Sequence, residues 1–199
     1  MTSVLLFSVF GYLLGSIPFG LVLARLGGYG DIRKIGSGNI GATNVLRTGN
    51  KPLAFLTLIL DGGKGALAVF IANHFGSFDA AMAAGLFSIL GHCFPIWLQF
   101  KGGKGVATTL GMVLALAPFT GLAACTTWLV VAVISRISSL SALIAMISMP
   151  VSAFVIYHDI KLAAVCAGVA AFVWIRHKAN IQRILKGEEP KIGKKKKDA

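Results

Sequence analysis

SLSALIAMISMPVSAFVIY, residues 139–157, contains no Asp, Glu, Lys or Arg. A bilayer's hydrocarbon core takes about 20 predominantly apolar residues of helix to cross, and this stretch has nearly that length. Comparable runs lie near 3–24, 53–73, 80–98, 105–117, 119–135 and 160–175. Lipid offers no partner to a backbone N–H or C=O, so each run must satisfy its own backbone and is read as a helix. The run at 105–117 is short and stops at Pro118, which makes it a half-helix or one arm of a re-entrant unit with the next run. Counting it gives seven spans; a five-span arrangement is the alternative. The expectation is an all-α, polytopic integral-membrane helix bundle. Residues 1–187 would form one membrane-embedded domain and 188–199 a basic tail.

Composition agrees. The chain has 199 residues, 56% hydrophobic and 13% charged, with a mean hydropathy of +0.79. A soluble domain could not bury so many apolar side chains. The formal net charge of +12 would suggest nucleic acid in a soluble protein, but its placement points to a membrane instead. Arg25, Arg33, Lys34, Arg47 and Lys51 fall between the first two spans, Lys101 and Lys104 between the third and fourth, Arg136 after the fifth, and Arg176 onward after the seventh. With an outside N-terminus, seven spans put all of these on the cytoplasmic side, as the positive-inside rule requires. No basic segment precedes the first run, which carries Gly11, Gly15, Ser16, Pro18 and Gly20. It reads as a retained helix with a small-residue packing face rather than a cleaved signal. Cys93, Cys125 and Cys166 match neither zinc nor disulfide spacing and read as packing residues. The run Lys194–Lys197 reads as a lipid-attracted tail.

The polar loops carry the chemistry. KGGKG at 101–105 opens an apolar run, so glycine amides, lysine charge and a helix N-terminus converge where an anion would be welcome. Between the first two spans, Ser37, Asn39, Thr43, Asn44 and Arg47 offer donors while residues 32–60 contain no carboxylate. Gly36, Gly38 and Gly41 have GxGxxG spacing, but no strand precedes them and the TGNKP segment interrupts any following helix, so a dinucleotide site is rejected. GGKG recurs at 62–65 behind Asp61; neither copy has the Ser or Thr of a Walker loop. For Asp61 and Lys64 an i, i+3 ion pair is preferred over direct catalysis. His92 closes the third run beside the cationic loop, as a structural histidine or a substrate contact. His177 and Asn180 share a face of a basic amphipathic segment, and Ser138, Ser139 and Ser141 open the sixth run as caps or anion contacts.

GSGNIGATNVLR (36–47), GHCFPIWLQFKGGKGVAT (91–108) and RHKANIQRILKGEEPKI (176–192) resemble, in order, the three signature loops of the bacterial acyl-phosphate:glycerol-3-phosphate acyltransferases. The resemblance covers nearly the whole chain. It implies seven membrane helices in the bacterial inner membrane, a site facing the cytoplasm, a fatty acyl phosphate donor, and release of lysophosphatidic acid and inorganic phosphate in the first acylation step of phospholipid synthesis. Ser37, Asn39, Asn44 and Arg47 match the first loop, His92, Gly102, Gly103 and Lys104 the second, and His177 and Asn180 the third. Ser139 matches the serine opening the sixth span, although the register leaves Ser141 as an alternative.

An acyl phosphate is a mixed anhydride and already activated, so no covalent acyl intermediate is needed, and the motifs contain no nucleophile, base and orienter set. Positioning and charge stabilisation should dominate, because two phosphates of about −1.5 to −2 each must approach one another. Arg47 and Lys104 are assigned to offset that charge, with the Gly102 and Gly103 amides helping to hold a phosphate or the developing oxyanion. His177 or His92 can accept the hydroxyl proton, as can a bound phosphate; orientation of the acceptor is the preferred role for His177. The motifs lack clustered Asp, Glu or Cys, so neither a metal nor another cofactor is expected. The expected partners are acyl phosphate, glycerol 3-phosphate and membrane lipids, with no nucleic acid. A transporter of phosphate or an organophosphate is the competing class, but its ionisable groups should approach the membrane midplane.

Overall fold

The computed structural model describes residues 2–193, so the lysine run at 194–197 lies outside the described residues. Among the described residues every regular element is helical, and they divide into two compact units meeting between Leu116 and Ala117.

In the first unit, α1 (Thr2–Gly15) and α2 (Phe19–Leu26) form one span broken at Ser16–Pro18. Proline has no N–H to continue the helical ladder, which explains the break. The turn α3 (Ala42–Val45) precedes α4 (Lys51–Phe75). Asn50 caps α4 by accepting from the Leu53 N–H at 2.9 Å, with Pro52 in the first turn. Ser77 caps α5 (Phe78–Cys93) in the same way, and α6 (Val106–Leu116) follows the cationic loop.

Small residues let these helices approach at backbone distance. A Cβ on Gly11 would overlap Ala84, one on Gly15 would overlap Ser88, and one on Gly91 would overlap the Tyr12 carbonyl. From Gly11 against Ala84 to Gly15 against Ser88 the contact advances four residues along both helices, so α1 and α5 run parallel. Gly65 meets the Thr108 carbonyl and Gly111 meets that of Gly62, locking α4 to α6. In lipid, association rests on such packing rather than on a hydrophobic driving force.

The second unit contains α7 (Pro118–Ser135), α8 (Ser138–Tyr157), α9 (Ile160–Arg176) and α10 (Lys178–Leu185). Arg136 and His158 take left-handed conformations, with φ of 58° and 51°, and turn α7 into α8 and α8 into α9. Asp159 caps α9 by accepting from the Leu162 N–H at 3.0 Å. The Trp174 indole donates to the Leu143 carbonyl at 3.1 Å, tying α9 to α8. The chain bends by 66° between α9 and α10.

Among the described residues, five helical stretches are long and apolar enough to cross a membrane: Thr2–Leu26, Lys51–Phe75, Phe78–Leu98, Pro118–Ser135 and Ser138–Tyr157. The bent α9–α10 pair makes a sixth. The run expected to be short is α6, whose 11 residues rise about 16 Å against a hydrocarbon core of about 30 Å. All seven apolar runs therefore return as helices. Leu5, Phe70, Val133 and Ile160, each about 70% exposed, belong to a surface made for lipid rather than water. The protein is an all-α integral-membrane helix bundle.

Candidate active site

The first donor loop is organised by Asn44. It is buried, and its amide donates to the carbonyls of Ile32 at 2.7 Å and Ile35 at 3.3 Å. Its Oδ1 accepts from the Ser37 N–H at 3.0 Å, the Ser37 hydroxyl at 3.2 Å and Arg47 Nη1 at 3.4 Å. Ser37 and Arg47, ten residues apart, are thus brought together over one buried amide. Gly36, at φ 57°, lies directly under the Arg47 side chain, and any Cβ there would strike the guanidinium. Asn44 is placed to shape the loop, while exposed Ser37 and half-buried Arg47 form its outer surface. Asn39 accepts from the Ile40 N–H at 2.8 Å. At the loop's start, Asp31 caps a 3₁₀ turn over Ile32–Lys34; hydrogen bonds from Arg33 hold its carboxyl below the ordinary range.

The second loop folds back along the end of α5. The Gly102 N–H donates to the Cys93 carbonyl at 3.1 Å and the Gly103 N–H to the His92 carbonyl at 3.0 Å. This corrects the amide role expected of these two glycines, since both N–H groups already have backbone partners. What the positions demand is the absence of a side chain: a Cβ on Gly102 would overlap the His92 carbonyl, and one on Gly103 the His92 ring. The first-turn amides of α6 have no intrahelical carbonyl to bond. Thr108 and Thr109, in that region, bury hydroxyls with no hydrogen-bond partner. Sequence reading passed over both, because threonine in an apolar helix carries no distinctive spacing. Lys104 is half-buried between the glycines and α6.

Beneath this loop lies a buried charge cluster. Lys64 Nζ donates to Asp61 Oδ1 at 2.8 Å and to the Ile17 carbonyl at 2.8 Å, and lies 2.9 Å from His92 Nδ1. Asp61, Lys64 and His92 are 2%, 3% and 5% exposed. The ion pair read from the i, i+3 spacing is present, and His92 joins it.

In the second unit, Ser139 and Asn180 converge on a residue the sequence reading did not select. The Ser139 hydroxyl donates to Glu189 Oε1 at 2.7 Å, Asn180 Nδ2 to the same oxygen at 2.5 Å, and Arg183 Nε to Oε2 at 2.6 Å. Burial pushes the Glu189 carboxyl up, but these three donors and the Arg183 charge outweigh it and hold the carboxyl below its ordinary value. The available signal was an acidic pair, Glu188 and Glu189, inside an otherwise basic segment. Ser141 donates within its own helix, to the Ile137 carbonyl at 2.8 Å, while Ser139 donates to the carboxylate. Buried His177 donates Nδ1–H to the Val173 carbonyl at 2.8 Å.

A separate cleft of about 320 Å³ is lined by Arg25, Arg33, Trp97, Leu98 and Gln99, and includes none of the candidate site residues. Among the described residues, no three His, Cys, Asp or Glu side chains gather as a metal site would require.

A glycerol-3-phosphate acyltransferase from a Jannaschia species is 57% identical over 188 residues, covering 94% of this chain and 92% of that protein. One from Rhodospirillum rubrum is 60% identical over 197 residues, covering 95% and 91%. Among solved structures, PlsY, an integral membrane glycerol 3-phosphate acyltransferase, superposes in its glycerol 3-phosphate form with a TM-score of 0.90 at 40% identity, covering 96% of both chains. Its lysophosphatidic acid form gives 0.88 at 39%. The sequence profile of the family described as Glycerol-3-phosphate acyltransferase matches residues 5–187, and the chain belongs to that family.

Proposed function

We propose that this protein transfers a fatty acyl group from acyl phosphate to glycerol 3-phosphate at the cytoplasmic face of the bacterial inner membrane. The products are lysophosphatidic acid and inorganic phosphate. Glycerol 3-phosphate as acceptor follows from family membership and from the glycerol 3-phosphate form of PlsY. The acyl phosphate donor is the finer assignment, and one observation carries it: Arg47 and Lys104 stand in glycine-rich loops without a carboxylate, a setting suited to two phosphates rather than to a nucleophile.

In the proposed reaction, a hydroxyl oxygen of glycerol 3-phosphate attacks the acyl carbonyl carbon. The bond between that carbon and the phosphate oxygen breaks, and the phosphate leaves with the bonding electrons. Arg47 offsets phosphate charge through its planar fork. Lys104 and the first-turn amides of α6 stabilise the leaving phosphate or the developing oxyanion. The hydroxyl proton passes to a bound phosphate, whose second ionisation near pH 6 makes it a competent base. His177 and Asn180 orient the acceptor, with Ser139 as a further substrate contact; Ser37 and Asn39 contact substrate from the first loop, with Asn44 holding that loop. His92, Gly102 and Gly103 give the second loop its shape.

Purified protein supplied with acyl phosphate and glycerol 3-phosphate tests the assignment by parallel measurement of lysophosphatidic acid and phosphate. Equimolar formation of both is expected. Acylation from a fatty acyl thioester but not from acyl phosphate would overturn the donor assignment.

A further inference from the structure

Lys64 has its three ammonium protons directed at three different elements. One goes to Asp61 on its own helix, α4, and one to the Ile17 carbonyl at the α1–α2 break. The third faces His92 Nδ1 on α5. At the break Leu21, which would bond Ile17 in an unbroken helix, donates instead to Pro18, and the Ile17 oxygen accepts the Phe19 N–H at 3.1 Å and the Lys64 ammonium at 2.8 Å. An ammonium has donors only, so His92 Nδ1 facing it must be an acceptor, and the ring proton then sits on Nε2. That nitrogen lies against Gly103, where a Cβ would collide with it, and the His92 carbonyl receives the Gly103 N–H. Gly103 is therefore seated on His92 through both its ring and its main chain, one residue before Lys104.

We propose that Asp61 and Lys64 are positioning residues for Lys104, acting through His92. The pair fixes the imidazole in its neutral Nε2–H form, and that form is the seat on which the cationic loop closes. A buried ion pair is weak evidence of stabilisation, since desolvation offsets much of its attraction, whereas fixing one geometry is a role for which such pairs are suited. The cost of burying these charges in an apolar bundle is then offset by a defined loop. The proposal rests on Lys104 belonging to the active site.

His92 is faced by Asp61 and Lys64 from α4 and by the loop carrying Lys104; Cys93 follows it on α5, and the Tyr12 hydroxyl from α1 donates to the Phe94 carbonyl two residues on. Removing the ammonium changes its proton chemistry. In Lys64→Met the Asp61 carboxylate, 3.6 Å from Nδ1, attracts a proton to that nitrogen. At high pH the neutral ring then carries its proton on Nδ1 and presents a lone pair, not an N–H, to Gly103. At low pH the imidazolium regains Nε2–H.

The test combines ¹⁵N NMR of the histidine rings with kinetics on purified protein. In the wild type, His92 is expected as the Nε2–H tautomer. Lys64→Met is expected to lower kcat about tenfold or more, as loss of a charge-assisted contact does, with the deficit largest at high pH and relieved toward low pH. Asp61→Asn combined with Lys64→Met should remove that acid-side relief. A wild-type His92 that carries its proton on Nδ1 would overturn the proposal even if no variant folds. So would folded Lys64→Met with wild-type kcat and pH profile. The tautomer is read without substrate, so an error in the donor assignment leaves this result standing and is recognised separately by the product assay.

Discussion

Arg47 and Lys104 differ from the other basic residues in what surrounds them. Each is half-buried in a loop shaped by glycine and a buried polar hub, Asn44 in one case and His92 in the other, whereas Lys101 is exposed. Arg47→Ala and Lys104→Ala should each reduce turnover more than tenfold, because a charge-assisted contact is worth about 1.5 to 3 kcal/mol and about 1.4 kcal/mol is a factor of ten. Lys101→Ala should stay near wild type; steady-state rates in detergent, with folding followed by circular dichroism, make the comparison. His177 allows a sharper distinction. Its Nδ1–H is held by a backbone carbonyl rather than a carboxylate, an arrangement that fixes the ring without raising its basicity as a carboxylate would. His177→Asn or Gln is expected to raise KM for glycerol 3-phosphate while retaining much of the saturated rate. A kcat loss of about a thousandfold at saturating acceptor would instead identify the imidazole as the base.

Elements here are joined at their ends by single polar side chains. Glu189, beyond α10, collects Ser139 from α8 and Asn180 and Arg183 from α10, so one carboxylate fastens the last segment to two helices. Its carboxyl is held below the ordinary value, so the ionised form stabilises the fold. That contribution is fully present above the unfolded carboxylate pKa of about 4.3 and is lost as pH falls through the lower folded value. Amide protection over residues 183–193, measured against intrinsic exchange at each pH, should therefore fall on acidification below about pH 4. Glu189→Gln should show faster exchange already at neutral pH and lack the acid step, because an amide offers the Arg183 guanidinium no charge. Unchanged exchange in that variant would reduce Glu189 to a bystander.

For the whole molecule, the distribution of basic residues predicts a sidedness. Arg25 to Lys51, Lys101 and Lys104, Arg136, and the residues from Arg176 onward should be cytoplasmic, with the segment around Asp79 outside. In a background lacking Cys93, Cys125 and Cys166, single cysteines at the exposed positions Lys51, Asp79 and Pro190 make the test. An impermeant maleimide added to intact cells should label Asp79→Cys and spare Lys51→Cys and Pro190→Cys. Labelling of the latter two without permeabilisation would reverse the orientation.

Hydropathy alone located every apolar helix, because transfer of side chains into lipid is a local property summed along a run. Proline marked the end of the short α6 for an equally local reason, and the first two motif loops could be read from their freedom from acid, whereas the first run, read as one helix, breaks at Ser16–Pro18. Partners were another matter. Lys64 meets Ile17 across 47 residues and His92 across 28, and Ser139 meets Glu189 across 50. Nothing in the spacing of any one motif specifies those pairings. The Gly102 and Gly103 amides illustrate the same limit: glycine in a cationic loop announces backbone donors, but only the loop's return along α5 shows that these two are already bound to carbonyls. Sequence determined which segments enter the membrane and which chemical groups stand at their ends. The tertiary structure alone decided which of those groups face one another, because a hydrogen bond depends on distances that helix packing sets.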